Sequence, residues 1–305
     1  MKEEKDMKKM KKIFALLLSF VMIMGMAVTA NAATSVSTTQ DQKVMVMSSS
    51  EGTVSYNATT VSGGEEDVTR YSYFIMMPEG GSTSSVPVSI TMGSSYPVLT
   101  IDGQKVTENG KYEKTLNFSS GTKTFVASST DGKKVREFKV TAGVKGEDLE
   151  TVYVRIDVRN AVEWLKDNAS NSKAETVKTK MNAITSKAAA TQYKIGSDGI
   201  MTAYVPVNLK AGSTAMDALN AACSTLKLTT KGSSTYVSGI GSDNTYLGEF
   251  DTTNMSGWMY LAKTSASGAF TTPNYGAAGY NLVGGEYFAW IFVNGWSSDQ
   301  TGYVK

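Results

Sequence analysis

The residues of this 305-residue chain that could do chemistry are few in kind. Histidine is absent and cysteine occurs once, at Cys223. That composition excludes a Ser-His-Asp triad, a Cys-His pair and any imidazole metal site. It also excludes an internal disulfide and a four-thiolate cluster. Acid–base work would fall to carboxylates, Lys or Tyr. In the last third the acids are Asp198, Asp217, Asp243, Glu249, Asp251, Glu286 and Asp299. Glu249 and Asp251, two residues apart, would share one face of a strand, the arrangement a glycosidase pair would need. Edge-strand charge explains the same spacing. Ser224-Thr225-Leu226-Lys227 matches Ser-x-x-Lys but lies at a helix end, without supporting motifs. No Gly-rich phosphate loop and no calcium-loop spacing occurs. The expectation is a protein that is not an enzyme, with no catalytic residues, no metal site and no cofactor of its own.

Aromatic side chains are the second chemical resource. From Gly196 onward there are 15 among 110 residues, against 9 among 118 in Ala33–Glu150. A flat ligand is held by aromatic faces and a few hydrogen bonds. Trp296 follows Asn294-Gly295 and precedes Ser297-Ser298-Asp299, a loop setting. Tyr275 lies in Thr272-Pro273-Asn274-Tyr275-Gly276, and Tyr246 lies beside Asp243-Asn244. Trp258 and Tyr260 share one face of a strand. These five form the expected ligand-binding set: Trp296, Tyr275, Tyr246, Trp258 and Tyr260. For Trp258 and Tyr260, alternation fits core packing as well. Cys223 sits on an apolar helix stripe and reads as a buried small hydrophobe.

The leader sets the compartment. Met1–Lys12 holds six Lys and three acids, Ile13–Val28 is an apolar run of sixteen, and Ala30-Asn31-Ala32 is a small-x-small cleavage pattern. Residues 1–32 read as a secretory signal peptide, the run being short of the ~20 residues a spanning helix needs. The expected location is secreted, extracellular, with no transmembrane segment after signal removal. Removal of the leader leaves 24 basic and 25 acidic groups. That balance argues against nucleic acid as a partner, because its binding needs a concentrated basic face.

The elements that must carry these residues fall into three segments. Residues 33–146 alternate in short runs, among them Tyr71–Met77, Val86–Met92, Lys111–Phe118, Thr122–Ser128 and Val135–Thr141. Gly63-Gly64, Gly80-Gly81, Asp102-Gly103, Asn109-Gly110 and Asp131-Gly132 separate them. Seven or eight such strands predict an all-β sandwich. Residues 147–195 carry no Gly or Pro. There Val154, Val158, Ala161, Val162 and Leu165 fall on one helical face, and Ala174, Val177, Met181, Ile184 and Ala188 form a heptad seam. Ser172 and Glu175 match a capping box. A helical hairpin connector is expected, either a spacer or a docking surface. Residues 196–305 begin with a strand, Tyr204–Leu209, then a Thr214/Asp217 capping pattern and one helix with Ala215, Leu219, Ala222, Cys223 and Leu226 inward. Strands follow near Tyr236–Ile240, Tyr246–Phe250, Gly257–Ala262 and Tyr287–Val293, the order of a β-grasp-like α+β domain. The fold class expected is thus multi-domain.

Two resemblances accompany this reading. Val98–Val140, with its Ile-Asp-Gly turn, Ser-Ser-Gly and Asp-Gly-Lys-Lys, resembles cadherin-like and immunoglobulin-like sandwich modules of bacterial surface proteins, which act as spacers or adhesion units. Gly212-Ser213-Thr214 before Asp217-Ala218-Leu219, Leu247-Gly248-Glu249-Phe250, Ser256-Gly257-Trp258-Met259-Tyr260, Pro273-Asn274-Tyr275-Gly276, then Tyr280, Leu282, Gly285-Glu286 and Trp290 resemble, in that order, the transcobalamin-like C-terminal domain family. The resemblance covers Ala203–Phe292. It implies a small exported ligand-binding β-grasp domain, with a corrinoid (cobalamin) as candidate ligand. In the animal carriers of that family a helical barrel precedes the domain; none precedes it here. The function expected is a secreted, non-catalytic bacterial ligand-binding protein. The alternative is a structural or adhesion module of the cell envelope, with a glycan ligand or an envelope partner.

Overall fold

The structure is a computed structural model, and it describes residues 43–61, 68–273 and 276–295. The leader and the Gly63-Gly64 turn lie outside the described residues. The described chain is mostly β, with several sheets and three α-helices.

The first half contains β1 (Met45–Ser48), β2 (Thr53–Val61), β3 (Val68–Met77), β4 (Val86–Met92) and β5 (Val98–Ile101). It continues with β6 (Gln104–Thr107), β7 (Lys111–Leu116), β8 (Lys123–Ser128) and β9 (Val135–Val144). β1, β4 and β7 form one antiparallel sheet, in the order β1-β4-β7. The second sheet runs β2-β3-β9-β8-β5-β6, with β3 and β9 parallel. Alternation explains how the two share one core. Val86, Val88, Ile90 and Met92 of β4 point inward, against Tyr73, Ile75, Phe125 and Phe138 of the other sheet. The Tyr73 hydroxyl, buried in that core, donates to the Met45 carbonyl at 2.7 Å and so ties sheet to sheet. Asp102 and Gly103 carry φ of 49° and 82°, the left-handed pair that a two-residue β5–β6 turn requires.

The second half contains β10 (Val152–Asp157), α1 (Arg159–Asp167), α2 (Ala174–Ala189), β11 (Val205–Val207) and α3 (Ala215–Thr225). β12 (Thr229–Ser233), β13 (Tyr236–Ser242), β14 (Thr245–Gly248), β15 (Gly257–Lys263), β16 (Thr272–Pro273) and β17 (Tyr287–Val293) follow. One sheet has the order β11-β10-β17-β15, with β10 and β17 parallel; β12-β13-β14 is a second, antiparallel one. All three helices contribute to one core with the four-stranded sheet, through Ala161, Trp164, Val177, Ile184, Leu219 and Ala222 against Ile156, Phe288 and Phe292. No described helix is long and apolar enough to cross a membrane.

Three expectations are corrected. The helical face expected from Val154 is a strand as far as Asp157, and the helix begins only at Arg159. Val154 and Val158 are four apart, which fits a helix, but Val152, Val154 and Ile156 also alternate, and the strand wins by lying between β11 and β17 with its apolar face buried. The helices of 147–195 therefore pack into the C-terminal core and are not a connector standing apart. The Ser172–Glu175 capping box does not form: Lys173 is the N-cap, with no side-chain cap, and Asn171 Oδ1 accepts its amide at 2.9 Å. The Thr214–Asp217 box does form, each side chain accepting from the other's backbone amide.

The halves meet along the edge of the first. Thr272 and Pro273 of β16 pair with Thr60 and Thr59 of β2, so the larger sheet of the first half gains a seventh strand from the second. Asn281 Nδ2 donates to Ser55 Oγ at 3.0 Å, and Ala211 exchanges backbone hydrogen bonds with Gly146 and Glu147.

Candidate functional site

The β13–β14 hairpin turns at Asp243 and Asn244, with φ of 51° and 61°. Asp and Asn tolerate this left-handed pair better than other side chains, which is why the chain reverses here. The turn is fastened to α2. Lys187 Nζ lies 2.9 Å from Asp243, whose carboxyl it holds below the usual range. Ser242 Oγ donates to the Ala183 carbonyl at 3.0 Å. Beyond β14, Lys180 Nζ pairs with Asp251 Oδ1 at 2.5 Å, while Asp251 Oδ2 accepts the Gly248 amide at 2.7 Å. Lys173 Nζ donates to the Phe250 carbonyl at 3.0 Å. Phe250 itself has φ 62° and is exposed.

Between these ties α2 and the small sheet leave an open groove of about 380 Å³. Glu175, Thr176, Thr179 and Lys180 line it from the helix. Lys231, Asn244, Thr245 and Tyr246 line it from the strands. Its volume falls within the range of small-ligand sites. Its walls are hydroxyl, amide and charge, with one ring. Tyr246 is half-buried, and its hydroxyl accepts from Thr229 Oγ1 at 3.1 Å, which fixes the ring as a wall. Lys180 is neutralised by Asp251, and Glu175 pairs with Lys178 at 3.8 Å.

Of the five expected ligand-binding residues, Tyr246 lines this groove. Trp296 and Tyr275 lie outside the described residues. Trp258 and Tyr260 are 8% and 9% exposed and face the main core, a correction to their expected role. The Trp258 indole donates to the Leu247 carbonyl at 2.7 Å and meets Phe292 edge-on at 5.6 Å. Tyr260 stacks on Trp290 at 5.4 Å, and burial raises its phenol well above the ordinary value. Neither ring has a face left for a ligand.

Glu249 and Asp251, the two acids that spacing could have put on one strand face, point to different partners. β14 ends at Gly248, Glu249 accepts the Tyr236 hydroxyl, and Asp251 turns to Lys180. Burial first, then Glu249, pushes the Tyr236 phenol up. Cys223 is buried as expected, and burial pushes its thiol up to about 12. Among the described residues no group of three or more His, Cys, Asp or Glu could hold a metal. Sequence reasoning missed Thr176, Thr179, Lys231 and Asn244. On a polar helix face and an exposed strand these are ordinary solvated residues, and only the folding of α2 onto the hairpin brings them together.

Comparison of the chain with protein-family models, with curated proteins and with solved structures finds no significant match.

Proposed function

We propose that this chain is an exported, non-catalytic binding protein whose C-terminal half holds a small uncharged polyhydroxylated ligand, a sugar ring, in the groove beside Tyr246. The observation that carries this reading is the composition of the groove: one fixed aromatic wall and four hydroxyl- or amide-bearing side chains, with Lys180 already paired to Asp251. A pyranose offers the complement, a C–H face for the ring and hydroxyls for Thr176, Thr179, Asn244 and Thr245. The export reading rests on residues 1–32, and the non-catalytic reading on a composition without His and with a single Cys. In this account the N-terminal β-sandwich is a spacer or adhesion unit of the cell envelope, and the C-terminal half is a β-grasp-like binding domain.

The corrinoid reading draws on the ordered motifs alone. Two of those motifs have a structural explanation: Leu247 accepts from Trp258, and the Phe250 amide donates to Ser256, so they build the β14–β15 connection. A corrin also calls for a broad apolar platform, which this hydroxyl-lined groove does not offer. A glycan array with the full mature chain and Tyr246→Ala tests the proposal. Binding to a defined set of sugars that Tyr246→Ala abolishes is the expected result. An empty array, or binding indifferent to Tyr246, overturns it.

A further inference from the structure

We propose that the outer face of the four-stranded sheet is a second binding site, selective for a phosphate-bearing anion. Register places Tyr153, Tyr287 and Lys263 in one cross-strand row of that face, and Arg155, Ala289 and Leu261 in the next. Tyr153 and Tyr287 stack at 4.5 Å, and Tyr204 meets Tyr287 edge-on at 5.1 Å. The Lys263 ammonium lies 5.2 Å from the Tyr287 ring, 5.9 Å from Tyr204 and 5.0 Å from Phe270. The Arg155 guanidinium lies 5.4 Å from both Tyr204 and Phe270. Two cations and three half-buried tyrosines thus share one patch, on the side of the sheet away from the main core.

The charge there is not balanced. Arg155 is paired with buried Asp157 at 2.8 Å. Lys263 has no carboxylate partner among the described residues; it donates to the Ala266 carbonyl at 2.6 Å. Burial, and then Arg155, disfavours its charged form. With one carboxylate, Asp157, for two cations, one positive charge is left uncompensated against a half-buried sheet face, which is costly. The hydroxyls of Tyr153, Tyr204 and Tyr287 have no hydrogen-bond partner among the described residues. A phosphate ester presents three acceptor oxygens and a charge of up to about two, so it can neutralise Lys263 and still accept from phenol hydroxyls at the rim of the patch. The aromatic walls also accommodate a ring attached to that phosphate. This patch differs from the groove, where Lys180 is paired with Asp251 and the ligand proposed is neutral.

Calorimetric titration of the full mature chain at low salt with inorganic phosphate and with phenyl phosphate, which carries no sugar ring, tests the assignment. Saturable binding is expected for both probes, tighter for the ester. Lys263→Gln should weaken both at least tenfold, the scale of one lost charged hydrogen bond. Tyr287→Phe keeps the ring and loses only the hydroxyl; it should weaken both about threefold and keeps the test open if the lysine variant fails to fold. Tyr246→Ala should leave both unchanged. No saturable binding up to about 10 mM, well past a millimolar Kd, overturns the proposal. So does binding that neither Lys263→Gln nor Tyr287→Phe alters.

Discussion

Replacing Trp258 by Phe separates a core role from a binding role. The indole N–H is within 2.7 Å of the Leu247 carbonyl, and the side chain is 8% exposed. Phe keeps the edge-on contact with Phe292 but removes that hydrogen bond and the second ring. A buried acceptor deprived of its donor costs about 1–3 kcal/mol. The vacated ring volume adds about 1–2 kcal/mol, because the surroundings collapse only in part. The sum worked from this site is a loss of about 3 kcal/mol, which for a chain of this size lowers Tm by roughly 6–10 °C. Urea unfolding followed by circular dichroism measures it as a shift of the midpoint at constant slope. A loss below about 1 kcal/mol would refute the argument that the indole is a packed, hydrogen-bonded core element. Ligand affinity in the groove should be unchanged in the same variant.

Other expectations follow from single contacts. Thr214→Ala removes the hydroxyl that accepts the Asp217 amide at 3.3 Å and should cost about 1 kcal/mol in urea unfolding, with Thr214→Ser close to wild type. Glu286 is 1% exposed and accepts the Val283 and Gly284 amides at 2.6 and 2.8 Å; burial nevertheless raises its carboxyl above 4.5. Its contribution is therefore full below pH 4.5 and is lost as pH rises through the raised value. The stability of wild type relative to Glu286→Gln should fall as pH rises above the ordinary carboxylate range; a constant or growing difference would contradict this. Cys223, with its thiol near 12, should not react with a disulfide reagent at pH 8 until the chain is unfolded.

What the sequence disclosed and what it hid have physical reasons. Val86–Met92 was legible because every second residue meets the core, and the Thr214/Asp217 box because capping is local. The apolar stripe of α3, with Cys223 inward, was legible from its period. β10 was not, since Val154 and Val158 satisfy both periods and only the neighbours β11 and β17 decide. β12, Thr-Thr-Lys-Gly-Ser, carries no apolar alternation because it is an exposed edge strand. Within the candidate site Tyr246 stood out through its turn, but its partners did not. Ser242 and Ala183 are 59 residues apart, and no local pattern announces such a contact. Trp258 and Tyr260 misled because a count of rings cannot tell a platform from a core; facing Phe292 and Trp290 decides it.

The central claim is that the recess between α2 and the β13–β14 turn receives a sugar. Backbone amide shifts of the labelled mature chain, recorded during titration with the best sugar from the array, test it most directly. The account predicts saturating shifts confined to 175–180, 231 and 244–246, with the sheet face around Lys263 silent. Shifts centred elsewhere, or none at saturating sugar, would contradict it.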